Sequence, residues 1–224
     1  MSDQRDSVVE YISERFAQED DLLKTILKNQ EAGGGPMMNI GPDQGKFLEL
    51  LVKLIKPKNI LEVGSYYGYS SVWIARALSS LREADATKQS NAKLHCIEVS
   101  KPQCEILAEH FKLTDLEDCT QIHHGSGIDI MQRMIDEGKI FEMIFVDADK
   151  ANYSNYLDLA AKLIPSGGLL LVDNCLWSGK VVDPEIKDKQ TQAIRDFNDK
   201  LAAHPDFDSC IVTIQDGLAF AVKN

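Results

Sequence analysis

Residues 59–70 read Asn59-Ile60-Leu61-Glu62-Val63-Gly64-Ser65-Tyr66-Tyr67-Gly68-Tyr69-Ser70. A short apolar run ends at two glycines, and an amphipathic stretch from about 70 to 81 follows. Strand, glycine turn and helix form the unit by which open α/β sheets bring backbone close to a ligand, at the carboxyl end of a strand. The spacing here is G-x-x-x-G, whereas a dinucleotide turn needs G-x-G-x-x-G to admit a pyrophosphate. Glu62 stands just before the turn. A carboxylate there repels a pyrophosphate and suits a cationic ligand without phosphates.

The same alternation extends in both directions. Upstream, residues 6–30 read as one polar helix, Gly33-Gly34-Gly35-Pro36 as a flexible break, and 43–55 as a helix with Phe47, Leu50, Leu51 and Leu54 on one face. Downstream, 93–99 reads as a strand, and Ser100-Lys101-Pro102-Gln103 has the S-x-x-Q form of a capping box opening a helix toward Phe111. Further strands are expected at 120–124, 141–146 and 168–172, with helices at 127–136, 151–163 and 188–203. Runs 209–215 and 218–222, joined through Asp216-Gly217, read as an antiparallel hairpin. Residues 82–92 read as an exposed loop, and 178–190 as either a lid or a surface loop. Repeated strand–helix units imply an α/β fold, a parallel sheet covered on both faces. One domain over 1–224 is expected, with 1–35 a helical extension within it.

Composition narrows the function classes. The chain has 224 residues, 44% hydrophobic and 26% charged, and a net charge of −11. Without clustered Lys and Arg, an acidic chain is a poor partner for nucleic acid. No run approaches the ~18 apolar residues of a membrane helix. Five scattered cysteines with no C-x-x-C pair argue against a disulfide framework or zinc. The start, Met1-Ser2-Asp3-Gln4-Arg5-Asp6, shows no secretory pattern, and the expected location is cytoplasmic.

Glu98 ends the second strand, where an acid can accept hydrogen bonds from both ribose hydroxyls. Together with Glu62 and the glycine turn it favours S-adenosylmethionine (SAM) over NAD. Two later strands end in polar groups: Phe141–Val146 runs into Asp147-Ala148-Asp149-Lys150, and Gly168–Val172 into Asp173-Asn174. Neighbouring parallel strands would bring Asp147, Asp173 and Asn174 to one edge. Three oxygen ligands without His or Cys suit a hard cation, Mg²⁺ or similar. Asp149 as a helix cap, Asp173-Asn174 as turn residues and Lys150 as a salt-bridge partner are the structural alternatives.

The stretches LEVGSYYGYSS, FVDADKANY, LLLVDNCLWSG and QDGLAFAVK resemble the cation-dependent, SAM-dependent O-methyltransferases, the group of catechol and caffeoyl-CoA O-methyltransferases. The resemblance runs from about residue 36 to the C-terminus. It implies a Rossmann-like class I methyltransferase fold, a seven-stranded mostly parallel sheet with the last strand antiparallel, and a homodimer. By position it implies Asp147, Asp173 and Asn174 as metal ligands and Lys150 as general base. The implied cofactor positions are Ile40, Glu62, Gly64, Ser65, Ser70, Glu98, Gly127, Asp147, Asp149 and Tyr156. Ile40 stands where relatives often carry Thr, Gly127 where many carry Ala, and Ser178 where the plant enzymes carry Asn.

The expected reaction is methyl transfer from SAM to a hydroxyl of a catechol-like small aromatic acceptor, with the cation stabilising the catecholate. A metal-independent methyltransferase and a non-catalytic SAM sensor are the competing readings. Tyr67 and Trp177 are either packing residues or walls of the acceptor pocket.

Overall fold

β1 (Asn59–Val63) forms from the run before the glycine turn, and four of its five residues are buried. It is an interior strand of a seven-stranded sheet of order β3-β2-β1-β4-β5-β7-β6. The partners are β2 (Lys93–Glu98), β3 (Thr120–His124), β4 (Met143–Val146), β5 (Leu169–Val172), β6 (Phe207–Val212) and β7 (Leu218–Lys223). β1 to β5 are parallel, and β7 runs antiparallel between β5 and β6. This is the sheet that the resemblance implied. The computed structural model describes residues 2–84 and 91–224.

Register positions the site. Val63 pairs with Val146 and Val146 with Val172, so the three strands end level. Their next residues, Gly64, Asp147 and Asp173, leave the sheet side by side. β4 and β5 are buried along their whole length, which is why they are unbroken apolar runs.

Helices cover both faces. One core joins the sheet to α2 (Asp21–Ala32), α3 (Pro42–Ile55), α4 (Tyr69–Ala84) and α5 (Lys101–Leu113). The other joins it to α6 (Gly127–Asp136), α7 (Tyr153–Leu163) and α8 (Lys189–Ala202). Truncating Phe145, fully buried in β4, would cost about 3–5 kcal/mol.

Several expectations are corrected. Residues 6–30 form two helices, α1 (Ser2–Phe16) and α2, because Asp20 caps a new start by accepting from the Leu23 N–H at 3.0 Å. The Gly33–Pro36 stretch is packed: a Cβ on Gly33 or Gly35 would overlap the Tyr67 or Tyr66 hydroxyl, and Gln30 donates to the Pro36 carbonyl at 2.6 Å. α4 continues to Ala84, and most of the loop expected at 82–92 lies outside the described residues. The strand expected at 209–215 is β6, which ends at Val212, and β4 begins only at Met143. Residues 177–182 form short 3-10 turns, and Arg195 of α8 donates to the carbonyls of Lys180, Val181, Asp183 and Ile186. The 178–190 segment is thus tied to a helix at four points. Among the described residues no helix is long and apolar enough to cross a membrane.

Candidate active site

The glycine turn is built on close approach. Gly64 has φ +91°, and a Cβ there would overlap the Asp147 carbonyl oxygen. Its N–H donates to Ile97 of β2 at 3.0 Å. Only glycine meets both demands. Glu62 is fully buried, and its oxygens accept from Ser65 at 2.7 Å, Ser70 at 2.6 Å and Ser71. Burial pushes its carboxyl above the usual range, and the three hydroxyls partly offset that rise. Glu62 therefore orders the serines of the turn from within.

Glu98, at the end of β2, is 5% exposed and accepts from the backbone N–H groups of Tyr66 at 2.9 Å and Ser100 at 2.8 Å. The second bond corrects the expected capping box: the Ser100 N–H that Gln103 would have taken goes to Glu98 instead, and the Ser100 side chain caps nothing. One carboxylate thus joins the glycine turn to the start of α5.

On the other side of β1, Gly127 opens α6 against Tyr156 of α7, where a Cβ would lie 2.9 Å from the ring, its hydroxyl and Val63. The Tyr156 hydroxyl donates to Asp149 at 2.6 Å, and Asn152 donates to the other Asp149 oxygen. Asp149 precedes the turn that leads into α7, yet its side chain caps nothing. Ile40 is 7% exposed and belongs to the core beside α3 and α4, as does Tyr67, while Trp177 is half-buried near the strand ends.

Asp147 and Lys150 follow the end of β4, and Asp173 and Asn174 follow the level end of the neighbouring β5. Lys150 Nζ donates to Asp147 Oδ1 at 2.8 Å and to the Tyr153 hydroxyl at 2.6 Å, and the lysine side chain is 10% exposed. Tyr153 in turn donates to the Asp173 carbonyl at 2.9 Å. Asp173 is 3% exposed, and its Oδ1 has no hydrogen-bond donor. Burial, and then the charge of Asp147, push its carboxyl up to about 7. Asn174 turns the chain in the left-handed region, φ +57°, which asparagine tolerates. Cys175 and Leu176 then donate to Gly217 and Asp216, and the Ser178 N–H to the Asp216 side chain at 2.5 Å. The Gln215-Asp216-Gly217 loop before β7 thereby holds the segment that carries Asn174.

Among the described residues no three His, Cys, Asp or Glu side chains converge. The oxygen set at this edge is therefore two carboxylates and one amide. It fits a hard divalent cation: two crowded carboxylates, one of them buried with an oxygen lacking a donor, are short of positive charge. Clefts of about 290 Å³ beside His95 and His123 and about 550 Å³ beside α1 contain none of these residues.

Tyr153 and Gln44 escaped the sequence reading. Tyr153 was within reach, since it lies three residues after Lys150 and therefore on the same side of a helical turn. Gln44, buried beside Asp173, carries no local signal.

The family model for O-methyltransferases matches residues 13–224. A catechol O-methyltransferase of Niastella koreensis is 35% identical over 97% of this chain and 96% of its own. Caffeoyl-CoA O-methyltransferase 2 of Populus trichocarpa is 30% identical over 96% of this chain and 87% of its own. The structure of an O-methyltransferase from Bacillus cereus in complex with SAH superposes with a TM-score of 0.87, at 30% identity, over 97% of both chains. The O-methyltransferase TomG of Streptomyces achromogenes, in complex with SAM, gives 0.86 at 29% identity, over 97% of this chain and 96% of its own.

Proposed function

The chain belongs to the O-methyltransferase family and is a SAM-dependent O-methyltransferase; from that premise we propose that its acceptor is a vicinal dihydroxy aromatic and that a divalent cation takes part. The observation that carries this reading is the meeting of Asp147, Asp173 and Asn174 at two level strand ends, with Asp173 buried and short of a partner. The names of the Niastella and Populus relatives support the acceptor class.

In this reading SAM lies along the glycine turn. Glu98 holds the ribose, the Glu62-ordered serines and the Gly64 backbone line the methionine part, and Tyr156 with Asp149 and the Gly127 backbone border the adenosine. When bound, the cation would supply Lewis-acid stabilisation of the acceptor phenolate. Asp147, Asp173 and Asn174 would hold it. In its free-amine form Lys150 takes the acceptor's hydroxyl proton at Nζ and becomes the ammonium that pairs with Asp147, and its contacts with Asp147 and Tyr153 fix where that nitrogen stands. The phenolate then attacks the sulfonium methyl in line, the chain contributing alignment and exclusion of water. No covalent intermediate on the protein is needed, and the buried Cys175 thiol is pushed up to about 12, unsuited to attack.

A homodimer is part of the same reading. Tyr11 and Phe16 of α1 and Leu50 and Leu54 of α3 are exposed apolar groups on helices that touch each other, and light scattering of the purified protein tests it.

The deciding experiment is methyl transfer from SAM to catechol, caffeate and caffeoyl-CoA, with Mg²⁺ and with EDTA. Product that vanishes with EDTA and returns with Mg²⁺ supports the reading. Product indifferent to EDTA removes the cation and keeps the methyltransferase. No product from any of the three overturns the acceptor class.

A further inference from the structure

The first turn of α3 carries Asp43, Gln44 and Gly45, and its flanking residues are fixed from two directions. Asp43 accepts from the Gln215 side chain, in the loop before β7. Gly45 lies flat on the Trp73 indole of α4, where a Cβ would stand 2.5 Å from the ring. Between them Gln44 is fully buried. Its amide stands near enough to Asp173 to favour the carboxylate, yet short of hydrogen-bond geometry. Gln44 Nε2, Gln44 Oε1 and Asp173 Oδ1 all lack partners. An orphaned buried polar atom is costly, and each one in a native protein calls for an explanation, a functional role among them.

We propose that Gln44 is a positioning residue for the divalent-cation site: with the cation bound, its amide N–H would close onto Asp173 Oδ1 and so aim the other carboxylate oxygen at the cation. The inference rests on the cation reading above. A small hard cation demands near-octahedral ligand placement, so a carboxylate held on one oxygen is a better ligand than one free to rotate. A neutral amide suits this task. A lysine there would repel the cation, and a glutamate would add a third negative charge beside Asp147 and Asp173.

The test is a titration of MnCl₂ into the full-length protein stripped of cations, with free Mn²⁺ read by electron paramagnetic resonance. Wild type is compared with Gln44→Met, which keeps the volume and loses the donor, and Gln44→Asn, which keeps the amide and withdraws it. Both variants are expected to bind Mn²⁺ about tenfold more weakly, with SAM affinity by calorimetry unchanged. Gln44→Met should also leave the cation-free melting temperature unchanged or higher, because it removes orphaned polar atoms. Mn²⁺ affinity within about twofold of wild type in both variants, below the usual loss for a ligand-supporting residue, overturns the inference and leaves the cation reading standing. A wild type that binds no Mn²⁺ overturns both.

Discussion

The Tyr153 hydroxyl donates to the Asp173 carbonyl at 2.9 Å while accepting from Lys150 at 2.6 Å. A single buried phenol thus ties the end of β5 to the lysine that follows β4. Tyr153→Phe deletes both bonds, leaving Lys150 held by Asp147 alone and the Asp173 carbonyl without its O–H donor. Stability should fall by about 1–3 kcal/mol and turnover by up to ~100-fold, with SAM affinity unchanged. Urea unfolding and steady-state kinetics on one preparation separate the two effects. Unchanged turnover would mean that the placement of Lys150 does not depend on Tyr153.

Asp173→Asn should separate stability from function. The Asp173 carboxyl is raised to about 7 by burial and by Asp147, against 3.8 when free. A raised carboxyl contributes stability that is present below the unfolded value and lost as pH rises through the folded one. The cation-free wild type therefore carries the full penalty at pH 8 and a smaller one at pH 5. The neutral amide should raise the melting temperature at pH 8, by about 2–4 °C per kcal/mol gained, with a smaller gain at pH 5, and should abolish Mn²⁺ binding. A lower melting temperature at pH 8 would show that the charge stabilises this edge.

His95 of β2 and His123 of β3 stand 3.0 Å apart, Nδ1 to Nε2. Burial first, then His123 and the lysines Lys139 and Lys93, depress His95 to about 4. A depressed histidine binds its proton more readily in the unfolded chain, so stability present above about 6.5 is lost as pH falls through about 4. His95→Gln should flatten the decline in urea midpoint between pH 7 and pH 4.5. A slope equal to wild type would place the acid sensitivity elsewhere.

Gly127→Ala puts a methyl 2.9 Å from Tyr156 and Val63. This packing makes the change costly in this chain. The expected loss is about 1–3 kcal/mol of stability by overpacking, with weaker SAM binding as Tyr156 shifts from Asp149. Thermal melts with and without SAM read both, and wild-type values in each would show that Tyr156 yields freely.

The glycine turn, the second-strand acid and the polar strand ends were legible because each is a local pattern of about ten residues: an apolar run, then the groups that stop it. Where the reading missed, a distant residue had taken over a local donor or acceptor. Glu98 captured the Ser100 N–H that a capping box would use, and Asp20 restarted a helix where polarity alone looked continuous. For 178–190 the sequence left lid and surface loop open, and the structure ties the segment to Arg195.

By itself the amino-acid sequence determined which strands are buried, that a glycine turn follows β1, and that Asp147, Asp173 and Asn174 follow strand ends, since periodicity and glycine sterics act between near neighbours. Only the tertiary structure decided that β4 and β5 end level, that Tyr153 reaches the Asp173 carbonyl, that Glu62 is enclosed by serines, and that Gln44 from α3 is buried near Asp173 with its amide unpartnered. Those relations depend on register and on packing of α3 and α7 against opposite faces of one sheet. Burial then sets the energy, because a carboxylate and an amide that would be ordinary in water become costly, and useful, once water is excluded.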